Sequence, residues 1–332
     1  MARFVVYGAG AVGGVIGSRL FEHGREVVLI ARGAHRAAIE RDGLRFEFPD
    51  GALVQAVAVV GGPEEIAWRD DDIVLATMKG QDTAAALERL EASAGPEIAV
   101  ACVQNGVENE RVALRRFADV YSVVVALPAT HLVPGIVVAH SAPITGALDI
   151  GRYPEGIDLR SREIAAAFEQ SGFASEPRSD VSRWKYAKFL RNVPNAVDAL
   201  FDRAQGAPEV ERRAVAEARA ALDAAAIEYV DDEEYEERFR RLITIRRVAG
   251  RVRGGGSSWQ SLARAGGAIE ADQLNGEVVL LGRLHGVPTP VNELLRRLAI
   301  ADARAGAPPG RHTEAPFLAI LNEVCAPAVA SR

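Results

Sequence analysis

The sequence predicts an α/β chain in which an N-terminal doubly wound parallel sheet, residues 1–178, precedes an all-α domain, residues 179–332. Three observations carry this. The apolar run Phe4–Tyr7 falls straight into Gly8-x-Gly10-x-x-Gly13, which reads as strand, tight turn and helix. Short apolar runs then alternate with helical periodicity through the first half, the pattern of a parallel sheet wound on both faces. From about Val181 onward, helical periodicity stands almost alone.

The elements follow in order. Strands are expected at Phe4–Tyr7, Val27–Ile30, Ile73–Ala76, Ile98–Val103 and Tyr121–Ala126. An amphipathic stretch, Val15 to His23, separates the first two, with Gly24 at its C-cap position. Leu44–Phe48 and Val54–Val60 read as a hairpin insert joined across Pro49-Asp50-Gly51. Gly135–His140 and Ala147–Ile150 are expected to extend the sheet, and a helix at Arg160–Gln170 to complete the domain. In the acidic run after Asp231, the pairs Glu234/Arg238, Glu236/Arg240 and Glu237/Arg241 are spaced i,i+4, acid first, as on an exposed helix. Glu270 is expected to begin a long helix running to about His285, with Gly286 as its stop signal.

With 332 residues and 48% hydrophobic content, the chain can bury a large core. The net charge of −6 argues against nucleic acid as a partner. No signal-peptide pattern stands before the first strand, and no apolar run is long enough for a membrane partner. Cys102 and Cys325 make no disulfide framework, and Cys102 reads as a small buried hydrophobe. His131 and His140 lack metal-ligand spacing, so no metal is expected. The composition points to a soluble cytoplasmic enzyme.

The glycine triplet is the motif that holds a dinucleotide's pyrophosphate. Gly8 permits the tight turn, Gly10 lets backbone approach the phosphates, and Gly13 lets the helix pack on the strand. Gly8, Gly10, Ala11, Val12 and Gly13 are therefore the expected cofactor loop, with the helix N-terminus facing the anion. The end of the second strand chooses between cofactors. It reads Ile30-Ala31-Arg32-Gly33, with Arg36 one turn later, and offers no carboxylate for a ribose 2′-OH. Arg32 suits the 2′-phosphate of NADP, the alternative being a solvated surface arginine.

Four further segments carry polar groups. Thr77-Met78-Lys79-Gly80-Gln81-Asp82 and Gln104-Asn105-Gly106 each follow an expected strand, where a ligand crevice opens. Lys79 can meet cofactor or substrate anions, and Asn105 can orient nicotinamide or substrate. Ordinary loop chemistry explains both equally well. Lys188, Asn192 and Asn195 lie at i, i+4 and i+7, so they share a helical stripe, which Pro194 must bend or interrupt. A lysine and two carboxamides can serve a keto acid, or they can face water. Gly254 to Ser258 forms a loop that can wrap a carboxylate, and Glu270 fits a plain helix-start preference.

Taken together these segments resemble the ketopantoate reductase family. The matching pieces are Gly8-x-Gly10-x-x-Gly13, Arg32, Lys79, Gln104-Asn105-Gly106, Lys188…Asn192…Asn195…Ala199-Leu200, and Ser258 with Glu270, in the family's order over nearly the whole chain. Pro134 to Val138 with Asp149-Ile150-Gly151 also resemble its middle strands. The resemblance implies a Rossmann-type domain followed by an α-helical domain like that of 6-phosphogluconate dehydrogenase. It implies NADPH-dependent reduction of a 2-keto acid to a 2-hydroxy acid, with 2-dehydropantoate (ketopantoate) to (R)-pantoate as the type reaction. It gives Lys188 the role of general acid and Glu270 that of positioning the lysine and substrate. Asn105, Asn192, Asn195 and Ser258 would bind substrate.

The chain departs from the family pattern in three places. Its two asparagines are three apart, with the proline before the second. The tryptophan lies four residues before Lys188, which leaves Lys185 as a competing general acid. Gly255 stands where the type enzyme offers a substrate-binding asparagine, so another bulky 2-keto acid is an alternative substrate. A non-catalytic NADP-binding sensor is the alternative of a different class. The apolar helical faces of the second domain serve either its core or a homodimer contact.

Overall fold

The structure is a computed structural model that describes residues 2–250 and 253–325. Its contacts divide the chain into two compact units, Met1–Lys188 with Tyr229–Arg253, and Phe189–Glu228 with Gly254–Arg332.

The first unit opens with β1 (Phe4–Tyr7), α1 (Ala11–Glu22), β2 (Val27–Ile30), α2 (Gly33–Asp42), β3 (Leu44–Phe48), β4 (Gly51–Gln55) and β5 (Ala58–Val60). It continues through β6 (Ile73–Ala76), α3 (Thr83–Ala94), β7 (Ala99–Cys102), α4 (Asn109–Leu114) and β8 (Val120–Ala126). Then come β9 (Ala129–Thr130), β10 (Ile136–Ala139), β11 (Ala147–Arg152) and α5 (Leu159–Gln170). Helix α6 (Val181–Asn192) leads into the second unit, to α7 (Asn195–Leu200) and α8 (Pro208–Ala224). The chain returns to the first unit for α9 (Asp232–Phe239). It then completes the second with α10 (Ser257–Ala263), α11 (Asn275–His285), α12 (Pro290–Arg304) and α13 (Glu314–Cys325).

Among the described residues the main sheet has seven strands in the order β11-β8-β7-β6-β1-β2-β5. Its pairings are parallel except that β11 runs antiparallel to β8. Every residue of β1, β6 and β7 is buried, which is why these strands read as unbroken apolar runs. The strand order reverses at β1. This opens a crevice beyond the carboxyl ends of β1 and β6.

A second sheet, β4-β3-β10-β9, packs on the other side of α1. The glycines of that helix record the squeeze. A Cβ at Gly17 would stand 2.6 Å from Leu29 of β2, and one at Gly14 would stand 2.5 Å from Val137 of β10. Glycine is unfavourable inside a helix, but here two sheets approach its backbone.

Two strand expectations are corrected. Val54–Val60 is not one arm of a hairpin: Gly51–Gln55 pairs with β3, while Ala58–Val60 joins the main sheet parallel to β2. Gly135–His140 does not extend the main sheet, because β10 lies parallel to β3 in the second sheet. Its alternating burial, with Val137 and Ala139 inside, belongs to a sheet covered on one face. The Ala147–Ile150 run does extend the main sheet, as β11.

The return of α9 to the first unit has an electrostatic cause that a single division after residue 178 does not anticipate. Asp149 is fully buried in β11 and pairs with Arg178 at 2.7 Å and Arg238 at 2.7 Å. It also accepts the Glu176 N–H at 3.0 Å. The Arg178 guanidinium lies 3.7 Å over the Trp184 ring, whose neighbours are Tyr235 and Phe239. Arg238 therefore turns inward to Asp149 rather than pairing with Glu234 on an exposed helix, and Asp231 caps α9 by accepting the Glu234 N–H at 2.8 Å.

In the second unit, α8 buries Val210, Ala214, Ala218, Ala221 and Leu222 on one face. Its N-terminus starts at Pro208 and is capped by Glu314, which accepts the Glu209 and Val210 N–H groups at 2.7 and 3.0 Å. Phe201 packs edge-on to Phe317 at 5.4 Å.

Asp149→Ala leaves two inward-facing arginines without their carboxylate. It is expected to destabilise the protein by about 3–5 kcal/mol, read from chemical unfolding, because one half of a buried pair is lost. A loss below about 1 kcal/mol would contradict this account of how α9 is held.

Candidate active site

The loop after β1 is built by close backbone approaches. Gly8 has φ +113° and donates, as Ala9 does, to Ile30 O at the end of β2. Thr77, just beyond β6, reaches Gly8 O at 2.8 Å and Tyr7 O at 3.1 Å through its hydroxyl. A Cβ at Gly8 would stand 2.7 Å from Met78 N, and one at Gly13 would stand 2.3 Å from Thr77 Oγ1 and 2.4 Å from Gly8 O. Gly8 and Gly13 are thus required by the chain itself. Gly10 is different: no atom of the described residues outside its immediate surroundings comes within 4 Å of a Cβ built there. Its missing side chain matters only to something that approaches from outside. It also caps α1, whose first turn holds no acidic residue. The loop therefore fits a dinucleotide's pyrophosphate.

His35 holds the same loop from below. Its Nε2 lies 2.6 Å from Ala9 O, and its Nδ1 accepts the Gly135 N–H at 2.9 Å. The accepting Nδ1 fixes the neutral tautomer with the proton on Nε2. Burial pushes the imidazole below its ordinary value, in agreement with that tautomer.

Arg32 is the exposed N-cap residue of α2, and its guanidinium lies 4.0 Å from Asp82. The expectation of no carboxylate at this tip is corrected here, since Asp82 arrives from the turn after β6. Arg36 is occupied by Glu40 at 2.7 Å and Glu65 at 2.9 Å. Lys79, half-buried, precedes the 3-10 turn Gly80–Asp82.

The Gln104-Asn105-Gly106 segment is tied to the β6 end. Gln104 Nε2 donates to Met78 O at 2.9 Å and Thr83 Oγ1 at 2.8 Å. Thr83 donates to Asn109 Oδ1 at 2.9 Å, and Asn109 Nδ2 donates to Asn105 O at 3.0 Å. Gly106, at φ +84°, makes the turn. Lys79 and Asn105 thus follow adjacent strands of one sheet, on loops joined by buried hydrogen bonds.

The two lysines of α6 differ sharply. Lys185 is buried, ion-paired with Glu110 Oε1 at 2.8 Å, and donates to Gln104 O at 2.8 Å and Val123 O at 2.9 Å. Ser122 donates to the same Glu110 oxygen at 2.7 Å. Lys188, one turn on, is half-buried. Cys102 is buried beside this cluster, and burial pushes its thiol well above the ordinary value. Among the described residues no group of three or more His, Cys, Asp and Glu side chains is set to hold a metal ion.

The expected single stripe of Lys188, Asn192 and Asn195 is broken. Pro194 lacks an N–H, so α6 ends at Asn192 and Asn195 opens α7. The Val193 carbonyl at the break accepts from Asn275 Nδ2 at 3.1 Å. Asn275 also donates to Asn292 Oδ1 at 2.9 Å, and Asn292 donates to Ala214 O at 2.9 Å and Glu217 at 2.8 Å. Burial raises the Glu217 carboxyl above its ordinary value.

In the same unit, Ser258 is buried in the first turn of α10. The Gly256 N–H before it donates to Asp198 of α7 at 2.8 Å. Arg203 pairs with Asp198 at 3.2 Å and donates to Gly254 O. Asn195 and Ser258 are thereby carried by adjoining helix starts. A Cβ at Gly255 would stand 2.4 Å from the Trp259 side chain, whose ring lies over Gly254 and Gly255. Glu270 is buried, but it does not begin a helix. It lies in a turn before α11, which starts at Asn275 and ends at Gly286 with φ +72°. Glu270 acts electrostatically on Arg264, the residue that ends α10.

Sequence reasoning gave no role to Thr77, His35, Glu110 or Asn275. Thr77 follows a strand at the switch point, and that position was its only signal. The other three make their bonds across 17 or more residues of sequence, except for the 12-residue link from Glu110 to Ser122.

Residues 4–155 match the family model described as ketopantoate reductase PanE/ApbA, and residues 180–302 match its C-terminal model. The chain is 32% identical to a 2-dehydropantoate 2-reductase of Halobacterium salinarum, over 92% of this chain and 100% of the relative. It is 29% identical to one of Caulobacter vibrioides, over 91% and 100%. A solved PanE/ApbA family ketopantoate reductase from Ralstonia eutropha matches with TM-score 0.74 and 28% identity, covering 91% of this chain and 99% of that one. D-mandelate dehydrogenase with NADH and anilino(oxo)acetate shares the fold, with TM-score 0.76 and 20% identity over 92% and 99%.

Gly13→Ala is expected to weaken dinucleotide binding by about 100-fold or more in a fluorescence titration, since the new Cβ meets the Gly8 carbonyl of the loop itself as well as the Thr77 hydroxyl that holds that loop. Binding within about threefold of the parent would contradict it. For His35 the sign is fixed by its lowered folded value. The neutral ring is favoured in the folded state, so its contribution is present above the unfolded value near 6.5 and is lost as pH falls below it. Urea unfolding across that range should show stability falling on acidification, less steeply in His35→Gln. Equal slopes in both proteins would remove His35 from the account.

Proposed function

The chain belongs to the ketopantoate reductase family, and we propose that it reduces 2-dehydropantoate to the 2-hydroxy acid pantoate with NADPH. The observation that carries this reading is the full-length match to the 2-dehydropantoate 2-reductase of Halobacterium salinarum. The family is one of nicotinamide-dependent reductases, and the choice of NADP rests on Arg32. Its exposed guanidinium at the tip of β2 suits a 2′-phosphate, which would replace the Asp82 carboxylate as its partner.

In this reading the first unit holds the dinucleotide through Gly8, Gly10, Ala11, Val12, Gly13, Arg32 and Lys79. The bound NADPH supplies the hydride that goes to C2 of the keto acid. Lys188 donates the proton that the C2 oxygen takes up as the carbonyl becomes an alcohol. Lys185 is unsuited to this role because it is buried among carbonyl oxygens and Glu110. Asn105, Asn192, Asn195 and Ser258 hold the carboxylate and carbonyl oxygens, and Glu270 is a positioning carboxylate. No described helix is long and apolar enough to cross a membrane.

A second reading keeps the reaction and changes the acyl group. The Trp259 ring occupies the space that a side chain at Gly255 would need. That favours a 2-keto acid whose contact there is apolar.

The test is NADPH consumption with 2-dehydropantoate, run beside NADH and a panel of 2-keto acids. Expected is turnover with NADPH on 2-dehydropantoate, lowered about 10²–10⁴-fold in Lys188→Ala with NADPH affinity retained. Preferred turnover of another keto acid would select the second reading. NADPH binding with silence on every substrate would overturn both.

A further inference from the structure

Within the reaction proposed above, we infer that Lys185 and Glu110 act as a pair of positioning residues, a buried ion pair that fixes how α6 presents Lys188 and where the Asn105 loop sits. Lys185 Nζ stands at the meeting point of three segments. It is 2.8 Å from Glu110 Oε1 on α4, 2.8 Å from Gln104 O and 2.9 Å from Val123 O in β8. Cys102 O, at the end of β7, lies 3.5 Å away.

The geometry fixes two things at once. Gln104 O belongs to the residue joined directly to Asn105, so holding that carbonyl sets the loop that displays Asn105. Lys185 is three residues before Lys188 on one helix, so anchoring it sets the rotation and height of the turn that carries Lys188. Side chains of both members are at least 95% buried. A salt bridge so placed is weak evidence for stability, since desolvation cancels much of the attraction. Its directional value is greater. An ammonium satisfied by two backbone carbonyls, one beyond β7 and one within β8, and a carboxylate has one position, whereas an apolar side chain of similar length would let α6 slide or turn.

The second carboxylate oxygen of Glu110, Oε2, is buried and has no hydrogen-bond partner among the described residues. Lys185 is therefore the charge that makes a buried Glu110 tolerable. Lys185→Met alone would leave that carboxylate uncompensated, and a loss of activity there could reflect unfolding. The informative variant is Lys185→Met with Glu110→Gln, which removes both charges and leaves an acceptor for Ser122.

The experiment compares parent, Lys185→Met/Glu110→Gln, Glu110→Gln and Lys188→Ala for kcat, KM, NADPH affinity and Tm. A positioning role predicts a double variant with Tm near the parent's and NADPH affinity within about twofold. Its kcat should nevertheless be lowered about 10–100-fold, as for a misplaced reacting group. Glu110→Gln, which keeps Lys185 among its carbonyls, should lose less and serves as the readout where the double variant does not fold. Parental kcat in a folded double variant, or in Glu110→Gln where that is the readout, overturns the inference. A parent inactive on every 2-keto acid overturns the reaction itself, and with it this role. An active parent with an unaffected pair removes the role alone.

Discussion

The first unit depends on one close approach, that of the loop after β1 to Thr77 beyond β6. The Thr77 hydroxyl sits on Gly8 O, and neither Gly8 nor Gly13 has room for a methyl group. This contact closes the base of the crevice where strand order reverses. It also seats α1 so that its N-terminal N–H groups open outward. The other glycines of α1 extend the same logic, with Gly17 admitting β2 and Gly14 admitting β10. Gly10 alone in the motif has no internal reason to lack a side chain. A motif glycine without a neighbour is the part of this loop that speaks of a ligand, and those pressed against backbone speak of the fold.

Buried charge determines the remaining architecture of that unit. Asp149 would be costly inside β11 without compensation, and two arginines, one from a segment nearly ninety residues away, supply it. The segment that brings Arg238 also brings Tyr235 and Phe239 against Trp184, so one buried carboxylate and one aromatic cluster reclaim a helix from the middle of the second unit's sequence.

The legibility of the chain follows from these physical facts. β1, β2 and β6 were readable to the residue because a central parallel strand is buried on both faces and its apolar run has sharp ends. β10 was readable as a strand but not in its sheet, since alternation reports one covered face without naming the partner. Periodicity placed Lys188 and Lys185 on one helix yet could not rank them, because the distinction lies in Glu110 and the Val123 carbonyl, 75 and 62 residues away. Pro194 announced a break but not its consequence, that Asn195 begins a helix of its own. Glu270 looked like a helix start because acidic residues favour that place, whereas here it stands buried in the preceding turn.

Helix α6 shows why such long-range bonds matter more than its own sequence. Its twelve residues have weak amphipathic character, and a proline follows two residues past its end. An element of that kind does not set its own position. Lys185 ties its middle to the Gln104 and Val123 carbonyls, and Asn275 donates to the Val193 carbonyl at the break. Asn275 in turn is held by Asn292, and Asn292 by Glu217 and Ala214 O, so the break rests on a polar chain in which both asparagines are buried. Between these two anchors lie Lys188 and Asn192. In the proposed reaction Lys188 is the proton donor, and precision there requires that the element bearing it have few ways to move. A helix pinned on both sides of its polar residues by buried, directional bonds meets that requirement, whereas apolar packing alone would leave it free to slide.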